Sequence, residues 1–170
     1  MATWTEAVFE QLSWHDCHVW GIEFRVGTPD ENDWTSDLAF DIDYIVEWVS
    51  GSDGRVRFRV APATLVFHGV TDPTLNIDWL SSGFQIALQL PSIARVTRDR
   101  VVDQKVYLDR PYYRYRIELN APEAGTIEFG GVGFTQRLRG IPVLLDEQVL
   151  SRTVRERIVR EGLPPQTGPG

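Results

Sequence analysis

The chain has 170 residues, of which 42% are hydrophobic and 11% aromatic. This content is enough for a hydrophobic core and excludes global disorder. The chain carries 17 Lys and Arg against 24 Asp and Glu, which gives a net charge of −7. A surface for nucleic acid needs clustered positive charge, so we expect no nucleic-acid partner.

The sequence also predicts a compartment. It has no run of about 18 apolar residues, so no membrane-spanning helix is expected. The first residues, MATWTEAVFEQL, lack the positive region followed by an apolar region of a secretory signal. Cys17 is the single cysteine and cannot form an internal disulfide. We therefore expect a cytoplasmic protein with no membrane partner.

The chain before the central region predicts one short helix and one strand. Apolar residues recur every four positions over Thr3–Leu12, a spacing typical of an amphipathic helix. Apolar residues then alternate with others over Trp20–Val26, which predicts a strand. The following segment, Gly27–Asp37, is a polar loop in which Trp34 is the one large apolar residue.

The strongest pattern is a β-hairpin over Leu38–Val70. Apolar and polar residues alternate on both sides of a Gly-rich SGSDG turn. The outward arginines of its second strand should face Glu47 and lie near Asp43, and such pairs help to fix the register. Pro62 lacks a backbone N–H and therefore predicts a kink or an edge position.

Several short strands should follow the hairpin. They are predicted at Leu75–Leu80, Phe84–Leu90, Lys105–Leu108, Tyr113–Leu119, Thr126–Phe129 and Val132–Leu138. Gly130 and Gly131 suggest a bulge or bend between the last two. Short strands at this spacing predict a mainly β fold, either an antiparallel β-sandwich or a flattened barrel.

The end of the chain predicts a second helix. Apolar residues at helical spacing indicate a helix within Asp146–Glu161, with Asp146 as its cap and Gly162 as its end. Residues 1–161 should therefore form a single β-rich domain with a short N-terminal helix and a C-terminal helix. Residues 162–170 read as a disordered tail.

The sharpest chemical candidate is the run His15-Asp16-Cys17-His18. With the hairpin carboxylates it offers the ligand types of a transition-metal site, which would use His15, Asp16, His18 and Asp43. The alternative is that Asp16 or His15 satisfies backbone donors at the start of the strand and that Cys17 packs as a small apolar residue. No CxxC, HExxH or HxH spacing is present, so the alternative is favoured and no cofactor is expected.

Two catalytic arrangements are also open. Cys17 with a histidine would make a thiolate–imidazole pair, but a thiol inside a strand is more often inert. Asp41 and Asp43 share a strand face, as an acid/base pair or a Ca²⁺ site would require. Pairing with Arg57 or Arg59 explains them instead as a solvated surface. No catalytic residue is predicted, and an enzyme is the less favoured class.

Aromatic residues indicate a ligand-binding surface. β domains stack sugars, bases or peptide side chains in aromatic clefts flanked by arginine. Most aromatic residues here fall on inward strand faces and are accounted for by the core. Trp34 lies in a polar loop, and Tyr112 precedes an alternating run close to Arg114. Trp34, Tyr112 and Arg114 are therefore the predicted ligand-binding residues.

Three motifs between Trp14 and Asp72 resemble a set of uncharacterised small bacterial proteins: WHDCHVWGIEF, DLAFDIDYIVEW and FRVAPATLVFHGVTD. The Trp-His-Asp-x-x-Val start is also similar to immunity-type proteins encoded beside bacterial toxins. These resemblances imply a bacterial protein that binds another protein, and they transfer no catalytic residue.

We therefore expect a non-catalytic, immunity-like binding domain that holds a partner protein with an acidic or aromatic surface. Such an inhibitor would suit a basic nuclease, because opposite charges steer association. The alternative is a small-ligand or metal-dependent enzyme that uses the His15–His18 segment. The expected state is a monomer or a homodimer.

Overall fold

The computed structural model describes residues 2–79, 89–102 and 110–162. Ten strands in these ranges form one antiparallel sheet, and the mainly β class is confirmed. The strands are β1 Thr3–Thr5, β2 His18–Val26, β3 Ser36–Ser50, β4 Val56–His68, β5 Thr71–Asn76, β6 Ser92–Arg100, β7 Tyr113–Ala121, β8 Thr126–Gly131, β9 Gly133–Leu138 and β10 Val143–Leu145. The described helices are the 3₁₀ helices Glu6–Gln11 and Pro29–Glu31 and the α-helix α1, Arg152–Gly162.

The strands follow the spatial order β1-β9-β4-β3-β2-β6-β7-β8-β5, and β10 pairs with β4 beside β9. Among the described residues β1 and β5 do not pair, so the sheet is open. The sheet has two parts, β1-β9-β4-β3-β2 with β10 and β6-β7-β8-β5, and side chains from both parts pack into the same core. The ring of Phe67 in β4 lies 4.9 Å from that of Tyr115 in β7 and 4.8 Å from that of Phe129 in β8, between centroids.

The predicted hairpin is confirmed as β3 and β4. Glu47 lies opposite Arg59, with 2.8 Å between the carboxylate and Nε. The core face of the hairpin is fully apolar in its middle, where buried residues of the two strands pair directly: Leu38 with Phe67, Phe40 with Leu65 and Ile42 with Ala63. The opposite face, which carries Asp41, Asp43 and Pro62, is covered by α1 and is called the helix face below.

Pro62 lies in the interior of the sheet, and its position explains why a proline is tolerated there. Its carbonyl accepts a hydrogen bond from the N–H of Arg139 at 2.7 Å, so a backbone N–H at this position would point to the same side. On that side β9 pairs only as far back as Ala63, and β10 begins to pair at Val60. The missing donor therefore falls in the gap between two strands.

The predicted N-terminal helix is wrong. Thr3–Thr5 forms β1, paired with β9, and only a 3₁₀ helix over Glu6–Gln11 follows, with non-helical φ and ψ at Val8. The apolar spacing is satisfied in another way, because the ring of Trp4 packs at 5.6 Å from that of Tyr44. A helix this short is marginal by itself, so pairing with an open strand edge prevails.

The C-terminal helix is confirmed, but it begins later than predicted. Ser151 precedes it, and the Ser151 carbonyl accepts the N–H of Arg155 at 2.9 Å. Asp146 does not cap the helix; its carboxylate lies 3.3 Å from Arg57 Nε. Among the described residues, no helix is long and apolar enough to cross a membrane.

The later strand predictions had mixed outcomes. β7, β8 and β9 confirm the three strands predicted between Tyr113 and Leu138, and the break between β8 and β9 falls at Val132. The strand predicted at Leu75–Leu80 is instead β5, shifted toward the N-terminus. The strands predicted at Phe84–Leu90 and Lys105–Leu108 lie outside the described residues, except for residues 89 and 90, which form no strand.

Candidate functional site

The helix face buries a carboxylate under the C-terminal helix. Asp43 has no solvent exposure. Its Oδ1 accepts a hydrogen bond from Arg155 Nε at 2.9 Å, and its Oδ2 accepts one from Trp20 Nε1 at 2.8 Å and one from the Leu150 N–H at 2.9 Å. A buried carboxylate is tolerated only when it is paired and hydrogen-bonded, and both conditions hold here.

Asp41 continues this arrangement toward solvent. Its carboxylate accepts hydrogen bonds from the guanidinium groups of Arg139 and Arg155, including one from Arg155 Nη1 to Oδ2 at 3.1 Å. Arg155 therefore bridges both aspartates. Burial lowers the pKa of Arg139, and the charge of Asp41 opposes that shift. Asp41, Asp43, Arg139 and Arg155 are called the arginine–aspartate cluster.

The predicted pairing of the two aspartates with Arg57 or Arg59 is wrong. Arg59 pairs with Glu47, and Arg57 lies near Asp53 and Asp146. The register places Asp43 opposite Pro62 and Asp41 opposite Thr64, so neither aspartate has a charged neighbour on β4. Their charged partners, Arg139 and Arg155, come from the C-terminal part of the chain, and α1 covers Asp43 completely and Asp41 in part.

The turn before β2 is tied to the sheet by Asp16. This residue has a left-handed backbone with φ of 62°, and its N–H donates to the Ile93 carbonyl at 2.7 Å. Its carboxylate accepts hydrogen bonds from Asn120 Nδ2 at 2.8 Å and Gln148 Nε2 at 2.9 Å, and lies 3.1 Å from His15 Nδ1. The aspartate thus holds the turn to β7 and to the segment before α1.

The structure does not assemble the predicted metal ligands. His18 pairs with Asp43 in the sheet register, but the oxygens of Asp43 already have three donors. Burial lowers the pKa of His18, and the charge of Asp43 opposes this. Among the described residues, no three His, Cys, Asp or Glu side chains are placed to hold a metal ion. His15 and Asp16 therefore contact each other without forming a four-ligand site with His18 and Asp43.

Cys17 is expected to be unreactive in the folded protein. Its side chain is fully buried, its sulfur accepts the Ile45 N–H at 3.5 Å, and burial raises the pKa of the thiol to about 12. Since the thiolate is the nucleophile, we expect a disulfide reagent such as DTNB at pH 8 to react at least about 100-fold more slowly in buffer than in denaturant. Rapid reaction of the native thiol would contradict this burial.

The three predicted ligand-binding residues differ in accessibility. Trp34 is 74% exposed, and its indole N–H donates to Asn32 Oδ1 at 3.3 Å. Tyr112 is half-buried, and its hydroxyl is hydrogen-bonded to that of Thr71. Arg114 is exposed at the start of β7. Trp34 is thus the one large aromatic side chain of the three that is open to a partner.

Sequence reasoning missed a hydrogen-bonded chain across β3, β4 and β9. His68 Nδ1 lies 3.1 Å from Asp37 Oδ2, and His68 Nε2 lies 2.9 Å from Thr135 Oγ1. This order of groups resembles that of a catalytic triad. However, the strand around Thr135 pairs with β1 on one side and β4 on the other, so its N–H groups are engaged and cannot stabilise an oxyanion. The hydrogen bonds of Asp37, His68 and Thr135 therefore link the side chains of β3, β4 and β9.

The site thus consists of a buried carboxylate, Asp43, bound under α1, with Asp41 and two arginines beside it. Asp43, the buried carboxylate, is paired with Arg155, and the exposed side chains include Trp34 and the arginines Arg152, Arg157 and Arg160 of α1. In comparisons with known proteins, no family model, no curated protein and no solved structure matches the chain.

Proposed function

We propose that the protein is a non-catalytic protein-binding domain. Its contact surface would be formed by Phe24, Val26 and Trp34, which are called the tip surface. These side chains are 52%, 79% and 74% exposed, respectively. Isolated exposed apolar residues are ordinary, whereas a group of them marks a contact site. That group is the observation that carries the proposal.

The backbone brings the three residues of the tip surface together. Phe24 and Val26 alternate along one face of β2, and Val26 pairs with Ser36 at the start of β3. The N–H of Gly27 donates to the Thr35 carbonyl at 2.8 Å, which closes the loop and places Trp34 beside the end of β2. Exposed tryptophans are among the side chains that contribute most to protein–protein affinity.

The charge around the tip surface favours a basic partner. The loop that carries Trp34 contains Asp30, Glu31 and Asp33 and no Lys or Arg. Hydrogen bonds from Thr35 lower the pKa of Asp33, so this carboxylate stays charged to a lower pH than an ordinary aspartate does. Acidic groups around an apolar centre steer a basic protein toward it and discriminate against acidic ones.

The loop is also held in one shape before binding. Asp33 Oδ1 accepts the Thr35 N–H at 3.0 Å and the Thr35 hydroxyl at 2.6 Å. Asn32 adopts a left-handed backbone and accepts the indole N–H of Trp34. A preformed loop loses less conformational entropy when a partner docks, and this favours affinity.

Two further parts of this proposal come from the sequence. An immunity-type inhibitor of a basic bacterial toxin would use such an acidic and aromatic surface, and the comparisons add nothing for or against that role.

For the fold, we propose that the two parts of the sheet face each other as in a sandwich or flattened barrel. The contacts of Phe67 with Tyr115 and Phe129 support this arrangement. The enzyme alternative built on His15–His18 stays a prediction without structural support.

Trp34→Ala tests the tip surface. A partner captured on the immobilised full chain should be identified, purified and titrated against wild-type protein by calorimetry. We expect Trp34→Ala to weaken that complex at least about 30-fold, as for a central aromatic contact. Trp48→Ala is the matched control, because Trp48 is 49% exposed at the far end of β3. An unchanged Kd for Trp34→Ala, an equal loss for both variants, or an acidic partner would overturn the proposal.

A further inference from the structure

A cleft of about 430 Å³ opens between the helix face of the sheet and α1. Its volume lies in the range of small-ligand sites. Trp20 and Asp41 contribute from the sheet, and Arg152, Glu156 and Arg160 contribute from the helix. The cleft is distinct from the tip surface, with which it shares no residue.

The sign of the charge in this cleft is opposite to that of the whole protein. Four guanidinium groups line it, from Arg139, Arg152, Arg155 and Arg160, against the carboxylates of Asp41 and Glu156. Asp43, which is bound to Arg155 beneath the cleft, adds a third carboxylate. One positive charge is therefore in excess, although the chain has a net charge of −7. A local excess of this kind in a concave site attracts an anion.

The inner arginines are held rigidly. Arg155 is fixed by Asp41 and Asp43, and Arg139 is fixed by Asp41. The Nε of Arg139 is buried and has no hydrogen-bond partner among the described residues. Because the aspartates neutralise these two arginines, the inner layer supplies oriented donors rather than net charge.

The outer arginines supply the net charge. Arg152 and Arg160 are exposed, and neither has a carboxylate within 4.0 Å in the described part of the chain. They lie eight residues apart on α1, which corresponds to about 12 Å of helix rise. Glu156 lies between them and limits how much negative charge the centre of the cleft can accept.

Trp20 adds a flat apolar wall. Its indole N–H is bound to Asp43, and the guanidinium of Arg155 lies 5.0 Å from its ring centroid. The ring is therefore fixed in orientation by two groups that also belong to the arginine–aspartate cluster. Arg155 covers one face of the ring, so an anion with a planar apolar body would contact the part of Trp20 that lines the cleft while its charged group meets the outer arginines.

We infer that this cleft binds a small organic dianion, in which a phosphate or a pair of carboxylates is attached to a planar apolar body. Guanidinium groups bind both kinds of oxyanion through paired, charge-assisted hydrogen bonds. Arg152 and Arg160 attract the charged group, Trp20 contacts the body, and Glu156 limits the negative charge that the cleft accepts.

Calorimetric titration of the full chain at low salt tests this site. The titrants are phenyl phosphate, phthalate, inorganic phosphate and phenol, so that the two oxyanions, the charged group alone and the body alone are separated. We expect saturable binding of phenyl phosphate or phthalate, weaker binding of inorganic phosphate and none of phenol. No saturable binding of either aryl dianion, or equal binding of phenol, would overturn the inference.

Variants on the same helix assign the residues. Arg152→Gln with Arg160→Gln should lower the affinity for the bound aryl dianion at least about tenfold, because two charged hydrogen-bond donors are lost. Glu156→Gln should raise it. Arg157→Gln is the matched control, since Arg157 is exposed on α1 but does not line this cleft. Melting temperatures should stay unchanged, and an equal loss in the control would show that the effect is only general charge.

Discussion

Arg155→Met is expected to destabilise the protein by about 3–5 kcal/mol, because it leaves a buried carboxylate without its ionic partner. The Arg155 side chain is 12% exposed and that of Asp43 is fully buried. Asp43 would keep its hydrogen bonds from Trp20 and Leu150, but its charge would be uncompensated. Urea denaturation at pH 7, followed by far-UV circular dichroism, measures the loss.

Two companion variants separate the ion pair from the packing of the helix. Arg157→Met removes an exposed arginine from the same helix and should change stability by no more than about 0.5 kcal/mol. Asp43→Asn combined with Arg155→Met should cost less than the two single changes added together, since the pair is removed as a unit. If the effects of the two single changes add, Arg155 does not act through Asp43, and its packing or its bonds to Asp41 stabilise the fold instead.

The hairpin could be predicted because its information is local. β3 and β4 are joined by a five-residue turn, Gly51–Arg55, and their alternation fixes which side chains are buried. The pairing of Glu47 with Arg59 followed from the same register. The helix predicted at the N-terminus was wrong because the structure of this segment depends on a distant part of the chain. Thr3–Thr5 pairs with Arg137, Gln136 and Thr135 in β9, and the sequence near residue 3 carries no sign of that distant strand.

For the candidate sites, too, the features that depend on local sequence could be predicted and those that depend on distant residues could not. The exposure of Trp34 followed from a polar loop around a single large apolar residue. The partner of Asp43 could not be found locally, because Arg155 lies 112 residues downstream on a helix whose position over the sheet is a tertiary property. The alternation of apolar and polar residues in a strand does not show whether a carboxylate is exposed or is covered by another element such as α1. One signal was present: β4 offers only Thr64 and Pro62 opposite the two aspartates.

The aromatic centre of the core should matter as much as the buried ion pair. Phe67 is fully buried, and its ring lies within 6.0 Å of the rings of Tyr115, Phe129 and Phe134. We expect Phe67→Ala to cost about 3–5 kcal/mol, from lost apolar burial and from the cavity that remains. Thermal and urea unfolding measure the loss, and near-UV circular dichroism should show weaker aromatic signals.

Two control variants, Phe67→Leu and Val102→Ala, test whether the loss of stability comes from the buried apolar volume of Phe67. Leucine keeps most of the buried apolar volume, so Phe67→Leu should cost clearly less than Phe67→Ala. Val102 is 84% exposed, and Val102→Ala should stay within about 0.5 kcal/mol of wild type. Phe67 joins β4 to β7 and β8, with which β4 does not pair, so its packing adds to the β2–β6 pairing that links these parts of the sheet. A loss below about 1 kcal/mol for Phe67→Ala would mean that the two parts are held together by something other than this cluster.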